Sequence, residues 1–253
     1  IFLLDFGFIA IRWYSLAYIF GILTGWWVGK KILVSKALDR KNASVEDFDD
    51  LITFLIIGII LGGRAGYIIF YNLSFYLDNP LDVLKIWEGG MSFHGALIGV
   101  ILATYYFVNS NKKKYSSFFL LDVIACVAPI GLFFGRIANF INAELIGKAT
   151  NVSWSVIFPA VDFSTRHPSQ LYEAFLEGLV LFGIMITLIF KKNYKIGTCS
   201  YAFLIFYGCF RIFCETFREP DTQVGYLFNV LSMGTILSIL MILAGTIIFF
   251  KKR

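Results

Sequence analysis

The chain has 253 residues, 58% of them apolar and 15% charged, against the roughly 25% charged residues of an ordinary soluble domain. That balance excludes a disordered chain and an ordinary soluble enzyme, and apolar runs of about 20 residues point to one polytopic membrane domain. The formal net charge of +5 calls for no nucleic acid, since loop orientation and attraction to anionic headgroups account for it.

In chain order, the runs long enough to cross about 30 Å of hydrocarbon predict spans near residues 9–29, 51–71, 92–109, 118–140, 170–190, 197–217 and 227–250. The expected fold class is all-α: a bundle of seven transmembrane helices forming a single domain over residues 1–253. Short outer loops, with an outer segment over 141–169, form a small cap on one side. No basic stretch precedes the first apolar run, which therefore does not read as a cleaved signal peptide. Basic clusters occupy alternate connections: Lys30, Lys31, Lys36, Arg40 and Lys41, then Lys112 to Lys114, then Lys191, Lys192 and Lys195, then Lys251 to Arg253. The positive-inside rule makes these connections cytoplasmic, with the N-terminus outside and the C-terminus inside. The acidic stretch Glu46, Asp47, Asp49 and Asp50 reads as a solvated cap for the second helix. Its D-x-x-D spacing is only a weak sign of magnesium-diphosphate binding.

Glycines recur four apart at Gly21/Gly25/Gly29, Gly58/Gly62/Gly66, Gly95/Gly99 and Gly131/Gly135, a spacing that lets helix backbones approach closely in lipid. The four cysteines lie in apolar stretches without C-x-x-C spacing, so neither a zinc site nor a disulfide framework follows. There is no G-x-S-x-G elbow, no H-E-x-x-H pair and no phosphate-binding G-x-x-x-x-G-K-[ST] loop, which leaves serine hydrolase, metalloprotease and NTPase chemistry unsupported.

Ionisable groups within a membrane are costly, so their depth is informative. At 1.5 Å per residue, Arg64, Arg136 and Arg211 fall about 20, 27 and 21 Å from the cytoplasmic starts of their spans. His94 opens the third span, and Gln170, Glu173 and Glu177 open the fifth, from the same outer side. Asp122, near the opposite end, reads as a residue that snorkels to the interface. Tyr207, Arg211, Glu215 and Arg218 share one helical face, and Arg136, Asn139 and Asn142 share another. Arginines and amides facing one outer cavity suit a phosphate, because guanidinium forks bind its oxygens bidentately. The bland alternative is a lattice in which Glu173, Glu177 and Glu215 merely neutralise buried arginines. His94, beside Gly89 and Gly90 at a helix start, could move a proton. His167, before Pro168, reads as a residue of a helix start.

Six segments together resemble the bacterial prolipoprotein diacylglyceryl transferases. They are Arg12-Trp13-Tyr14, Gly62 to Tyr67 with Phe70-Tyr71-Asn72, Gly89 to Gly95, Gly135 to Glu144, Arg166 to Glu173, and Tyr207 to Arg211 continuing to Asp221. The Gly-Arg-x-x-Asn-Phe-x-Asn-x-Glu run is the most specific. The chain departs from the family at Ala96, Ala138 and Ala143, where glycine is common. The resemblance implies transfer of a diacylglyceryl group from phosphatidylglycerol to the lipobox cysteine of prolipoprotein signal peptides. It further implies a site in the outer half of the bacterial cytoplasmic membrane, beneath a periplasmic-side cap. It carries Tyr14, His94, Arg136, Asn139, Glu144, Gly147, Tyr207 and Arg211 over as residues important for activity, with Arg64, Glu215 and Arg218 as supports. His94 is the natural thiol base by proton affinity, and Glu144 could share or take that role. No metal or organic cofactor is implied. A transporter or lipid-binding protein is the rival of another class, and it should show polar groups at both depths.

Overall fold

The computed structural model describes residues 2–5, 10–35, 44–110, 115–220, 225–227 and 231–252. Lys36, Arg40, Lys41, Lys112 to Lys114, Asp221 and Arg253, all named above, lie outside the described residues. Long apolar segments become helices because lipid offers their backbone no other hydrogen-bond partners. The helices are α1 (Trp13–Val34), α2 (Val45–Tyr71), α3 (Leu73–Asp78), α4 (Phe93–Ser110), α5 (Ser117–Ile141), α6 (Ser169–Glu173), α7 (Leu181–Ile189), α8 (Thr198–Glu215) and α9 (Met233–Lys252). A π-helical stretch, Ala174–Val180, joins α6 to α7. Short antiparallel pairs, β1 (Phe2–Asp5) with β2 (Ala10–Arg12), β3 (Val156–Ile157) with β4 (Thr165–Arg166), and β5 (Tyr226–Leu227) with β6 (Leu231–Ser232), lie between the helices or precede them.

Among the described residues, five segments are long and apolar enough to cross a membrane: α2, α4, α5, the continuous run Ser169–Ile189, and α9. The molecule is an all-α, multi-pass membrane protein. The expected spans 9–29 and 197–217 correspond to α1 and α8, which are not among the five. In α1, Trp26, Trp27, Lys30 and Lys31 dilute the apolar run, and in α8 Arg211 and Glu215 do so.

Glycine decides how the helices approach. On α2, Gly58, Gly62 and Gly66 face Gly95 and Gly99 of α4 so closely that a Cβ on Gly66 would stand 2.6 Å from the Gly95 Cα. Small residues thus replace the hydrophobic drive that lipid cannot supply. Gly21 of α1 meets Gly131 of α5 in the same way, whereas Gly135 faces open space.

At the end of the bundle formed by the start of α2, Ser44 and Asp47 make a reciprocal capping box, which satisfies two orphan helix donors. Asp49 accepts from Lys30 Nζ at 2.9 Å and Trp26 Nε1 at 2.6 Å, tying α1 to α2. At the same end Asp122 does not snorkel. It is fully buried and accepts from the Ser200 amide and hydroxyl, each at 2.6 Å, the Gly197 amide and the Tyr194 hydroxyl. A carboxylate of α5 thereby caps the N-terminus of α8, where orphan N–H groups and the helix dipole favour negative charge.

Candidate functional site

Polar side chains collect where the far ends of α5 and α8 meet the start of α6. Glu173, the last residue of α6, is fully buried. Its Oε2 lies 3.1 Å from Arg136 Nη1 of α5, and its Oε1 accepts from Arg211 Nη1 of α8 and lies 3.6 Å from Arg218 Nη1. Glu177, on the π-helical stretch, reaches Arg136 Nη2 at 3.2 Å and Arg211 Nη1 at 3.8 Å. Glu215, one turn beyond Arg211, takes its Nη2 at 2.7 Å and packs its carboxylate against Gly234. Three arginines and three glutamates therefore form one formally neutral, desolvated lattice. Arg136 and Arg211 are each already held by carboxylates, the arrangement that the alternative of a charge-neutralising lattice expects. Burying a guanidinium without a partner is prohibitive, and helix packing supplies that partner.

One turn further out sits a second polar layer. Asn139, three residues after Arg136 and buried, donates from Nδ2 to Glu144 Oε2 at 2.9 Å, and its carbonyl accepts the Glu144 amide at 2.9 Å. Gln170, three residues before Glu173, donates to the Glu144 carbonyl at 2.7 Å. Ala143 and Leu145, on either side of Glu144, adopt φ of 56° and 53°, a left-handed conformation costly for residues with a Cβ. The side chains of Asn139 and Gln170 thus hold Glu144, itself exposed, at the tip of a strained turn.

The segment after that turn closes over the lattice. Gly147 bridges to Arg218, and Ala149 to Arg166, while the Lys148 amide donates to the Phe217 carbonyl at 2.9 Å and the His167 amide to the Lys148 carbonyl at 3.0 Å. A Cβ on Gly147 would collide with the His167 carbonyl, so only glycine allows this packing. Arg166 clamps Asp162 with contacts of 2.5 and 3.2 Å and holds its carboxyl below the usual aspartate range. His167 Nδ1 lies 3.2 Å from the Tyr172 hydroxyl, consistent with a role at the helix start.

His94, second residue of α4, is buried. Its Nε2 has no hydrogen-bond partner among the described residues, and the imidazole lies within electrostatic reach of Arg211 and Glu215. Beside it, Phe93 stacks on Tyr207 at 4.4 Å between centroids, and Tyr207 stacks on Phe203 at 5.7 Å. Burying an imidazole nitrogen without a protein partner is expensive, which makes Nε2 a candidate to meet substrate.

Arg64 stands elsewhere. It donates to the carbonyls of Asp82, Val83, Lys85 and Gly89 at 2.6 to 3.1 Å and lies over the Tyr76 ring. Its role is to hold the 82–89 connection in front of α4, not to join the lattice. Tyr14 belongs to the first turn of α1, and its side chain lies outside the described residues. The sequence offered Glu173 and Glu177 only as possible neutralisers of buried arginines, with Gln170 on the same helix start. Which arginines Glu173 and Glu177 meet, and that Gln170 holds Glu144 instead, depends on how α5, α6 and α8 pack.

With this geometry in view, comparison with known proteins decides the family. The model of the family described as prolipoprotein diacylglyceryl transferase matches residues 2–251. The chain belongs to the prolipoprotein diacylglyceryl transferase family. A relative from Rickettsia bellii (strain OSU 85-389) is 52% identical over 249 residues, covering 98% of this chain and 93% of its own length. Relatives from Rickettsia felis and Rickettsia rickettsii (strain Sheila Smith) are each 52% identical over 242 residues, covering 95% of this chain and 92% of theirs. All three are named phosphatidylglycerol--prolipoprotein diacylglyceryl transferase.

Proposed function

We propose that this transferase moves the diacylglyceryl group of phosphatidylglycerol onto the lipobox cysteine thiol of a prolipoprotein signal peptide, forming a thioether and releasing glycerol phosphate. The observation that carries the reading is the pairing of a fixed arginine lattice with an imidazole nitrogen left unpartnered beside it. The substrate thiol gives its proton to His94, and its sulfur forms a bond to the glycerol carbon that bears the phosphate. The carbon–oxygen bond to phosphate breaks, and its electron pair leaves on the phosphate oxygen. That departing charge needs cations already in place. Arg136 and Arg211 supply them, with Arg218 adjoining and Glu173, Glu177 and Glu215 fixing their orientation. Asn139, Glu144, Gly147 and Tyr207 shape the outer wall, with Tyr14 carried over from the family. Glu144 remains the alternative base.

The reading puts seven crossings in the membrane, α1 and α8 included, with the N-terminus outside, the C-terminus cytoplasmic and the lattice in the outer half of the bacterial inner membrane. Lys191 and Lys192 after α7 and Lys251 and Lys252 ending α9 support that orientation. A transporter would want polar groups open at both depths. Asp122, the fully buried carboxylate toward the opposite end, is occupied in capping α8.

Two measurements test the proposal. Purified protein incubated with phosphatidylglycerol vesicles and a lipobox peptide should add the mass of one diacylglyceryl group to the peptide, and none to a peptide with serine in place of the cysteine. An unchanged peptide mass sinks the reading. For orientation, an impermeant thiol reagent on intact cells should leave a cysteine placed at Lys192 unmodified, in a background with Cys209→Ser. Modification there would reverse the assigned sides.

A further inference from the structure

Within the reading above, and resting on it, we propose that Glu173 is a positioning residue for the transfer: one buried carboxylate that sets the angles at which Arg136, Arg211 and Arg218 meet the phosphate. It is the one carboxylate among the described residues within 4 Å of all three guanidiniums, through Oε2 to Arg136 and Oε1 to Arg211 and Arg218. Glu177 meets two of them and Glu215 one. Glu173 is 0% exposed, so no substrate touches it, and whatever it contributes passes through the arginines. Arg136 comes from α5, Arg211 from α8, and Arg218 from the segment beyond α8 that pairs with Gly147. Like charges from three separate segments repel, and Glu173, hydrogen-bonded to Arg211 and ion-paired with Arg136 and Arg218, is the group that ties all three together. The rest of α6 serves the same end: Gln170, one turn earlier, holds the Glu144 carbonyl, so this single turn of helix registers both polar layers against each other.

Neutralising charge is a different role and predicts different behaviour. Any carboxylate balances the lattice, but only one of glutamate length spans it. Glu173→Asp keeps the charge and withdraws the oxygens by about one bond, about 1.5 Å, too far to serve Arg136 and Arg211 together. Displacements near 1 Å cost on the order of 100-fold in rate where geometry controls the chemistry.

The test compares wild type, Glu173→Asp and Glu173→Gln, each as the full chain, with phosphatidylglycerol vesicles and a lipobox peptide, alongside thermal unfolding. Positioning predicts that Glu173→Asp loses on the order of 100-fold in kcat with KM for phosphatidylglycerol little changed and the unfolding midpoint retained. Glu173→Gln should also lose kcat while KM holds or falls, because the uncancelled arginine charge favours ground-state phosphate. A Glu173→Asp protein with near wild-type kcat overturns the proposal in favour of simple charge balance. Activity lost only in proportion to folded protein overturns it in favour of stability. A readout independent of turnover separates this proposal from the functional reading. In protein labelled with nitrogen-15 arginine, the Nη resonances of Arg136, Arg211 and Arg218 should be distinct in wild type and averaged by rotation in Glu173→Asp. Unchanged resonances overturn the positioning role whatever the transfer assay gives, and an inactive wild type with collapsed Glu173→Asp resonances sinks the functional reading alone.

Discussion

His94→Gln is expected to leave a folded protein whose transfer rate at neutral pH falls by about 10²- to 10⁴-fold, the usual contribution of a positioned general base. Glutamine keeps much of the volume and a hydrogen-bonding end group at the start of α4, so the Phe93–Tyr207 stack has no reason to rearrange. What it lacks is a ring nitrogen that can accept a proton. The burial of His94 with an unpartnered Nε2 says the native structure bears the cost of that nitrogen, whereas a packing histidine would be satisfied within the fold. Raising the pH offers an internal check. The thiolate fraction of a free cysteine grows about tenfold per pH unit below its ordinary pKa of about 8.5. The variant should therefore gain rate with pH and approach wild type as the peptide thiol ionises without help. Full activity of His94→Gln at neutral pH would demote the imidazole to structure and pass the base to Glu144, an exposed residue whose carboxylate accepts from Asn139 Nδ2. A deficit independent of pH would mean that His94 contributes something other than proton transfer.

The fold was legible wherever hydropathy alone writes the structure. Residues 92–109 and 118–140 became α4 and α5 almost unchanged, because those runs are mostly apolar and polar residues such as His94, Asp122 and Asn139 are buried within the bundle rather than ending the helices. Boundaries drifted where polar residues belong to a helix. The span read from 51 begins at Val45, since the capping box of Ser44 and Asp47 makes the first turn acidic. The span read from 227 begins at Met233, after β5 and β6. Nothing in the residue pattern announced the π-helical stretch Ala174–Val180, within which Gly178 admits Phe133 of α5 so closely that a Cβ would stand 2.7 Å from the Phe133 Cβ. The members of the site were legible by depth and spacing, and their pairing was not. Spacing places Arg136 and Glu173 on faces of separate helices, and only tertiary packing decides that those faces meet. Asp122 shows the same limit, because a lone carboxylate near a helix end suits an interface as well as it suits a neighbouring helix N-terminus.

Arg211→Lys is expected to lower turnover by at least about 100-fold, equivalent to about 2.7 kcal/mol of transition-state stabilisation, while the protein remains folded. In the structure the Arg211 fork is used in two directions at once, with Nη1 on Glu173 and Nη2 on Glu215 at 2.7 Å. The planar group is thereby held by carboxylates on both nitrogens, which fixes its orientation. Lysine preserves the charge, so long-range attraction for an anionic headgroup survives. Its compact ammonium cannot span two carboxylates in one plane and still present a fork. The expected signature is a large fall in kcat with a modest change in KM for phosphatidylglycerol. A purely structural Arg211 predicts something else. Replacing both partners, Arg211→Gln with Glu215→Gln, leaves Arg136 and Arg218 against Glu173 and Glu177, a lattice still balanced in charge. If Arg211 only neutralises its neighbours, that double variant should fold and recover activity, because the destabilising element of a single change is the stranded carboxylate. If Arg211 holds the leaving phosphate, the double variant should fold and stay inactive, because the cation at the breaking bond is gone. Diacylglyceryl transfer to a lipobox peptide, with thermal unfolding as the folding control, separates the two. Recovery in the double variant sinks the clamp, and a stable, inactive double variant ties the guanidinium itself to the departing phosphate.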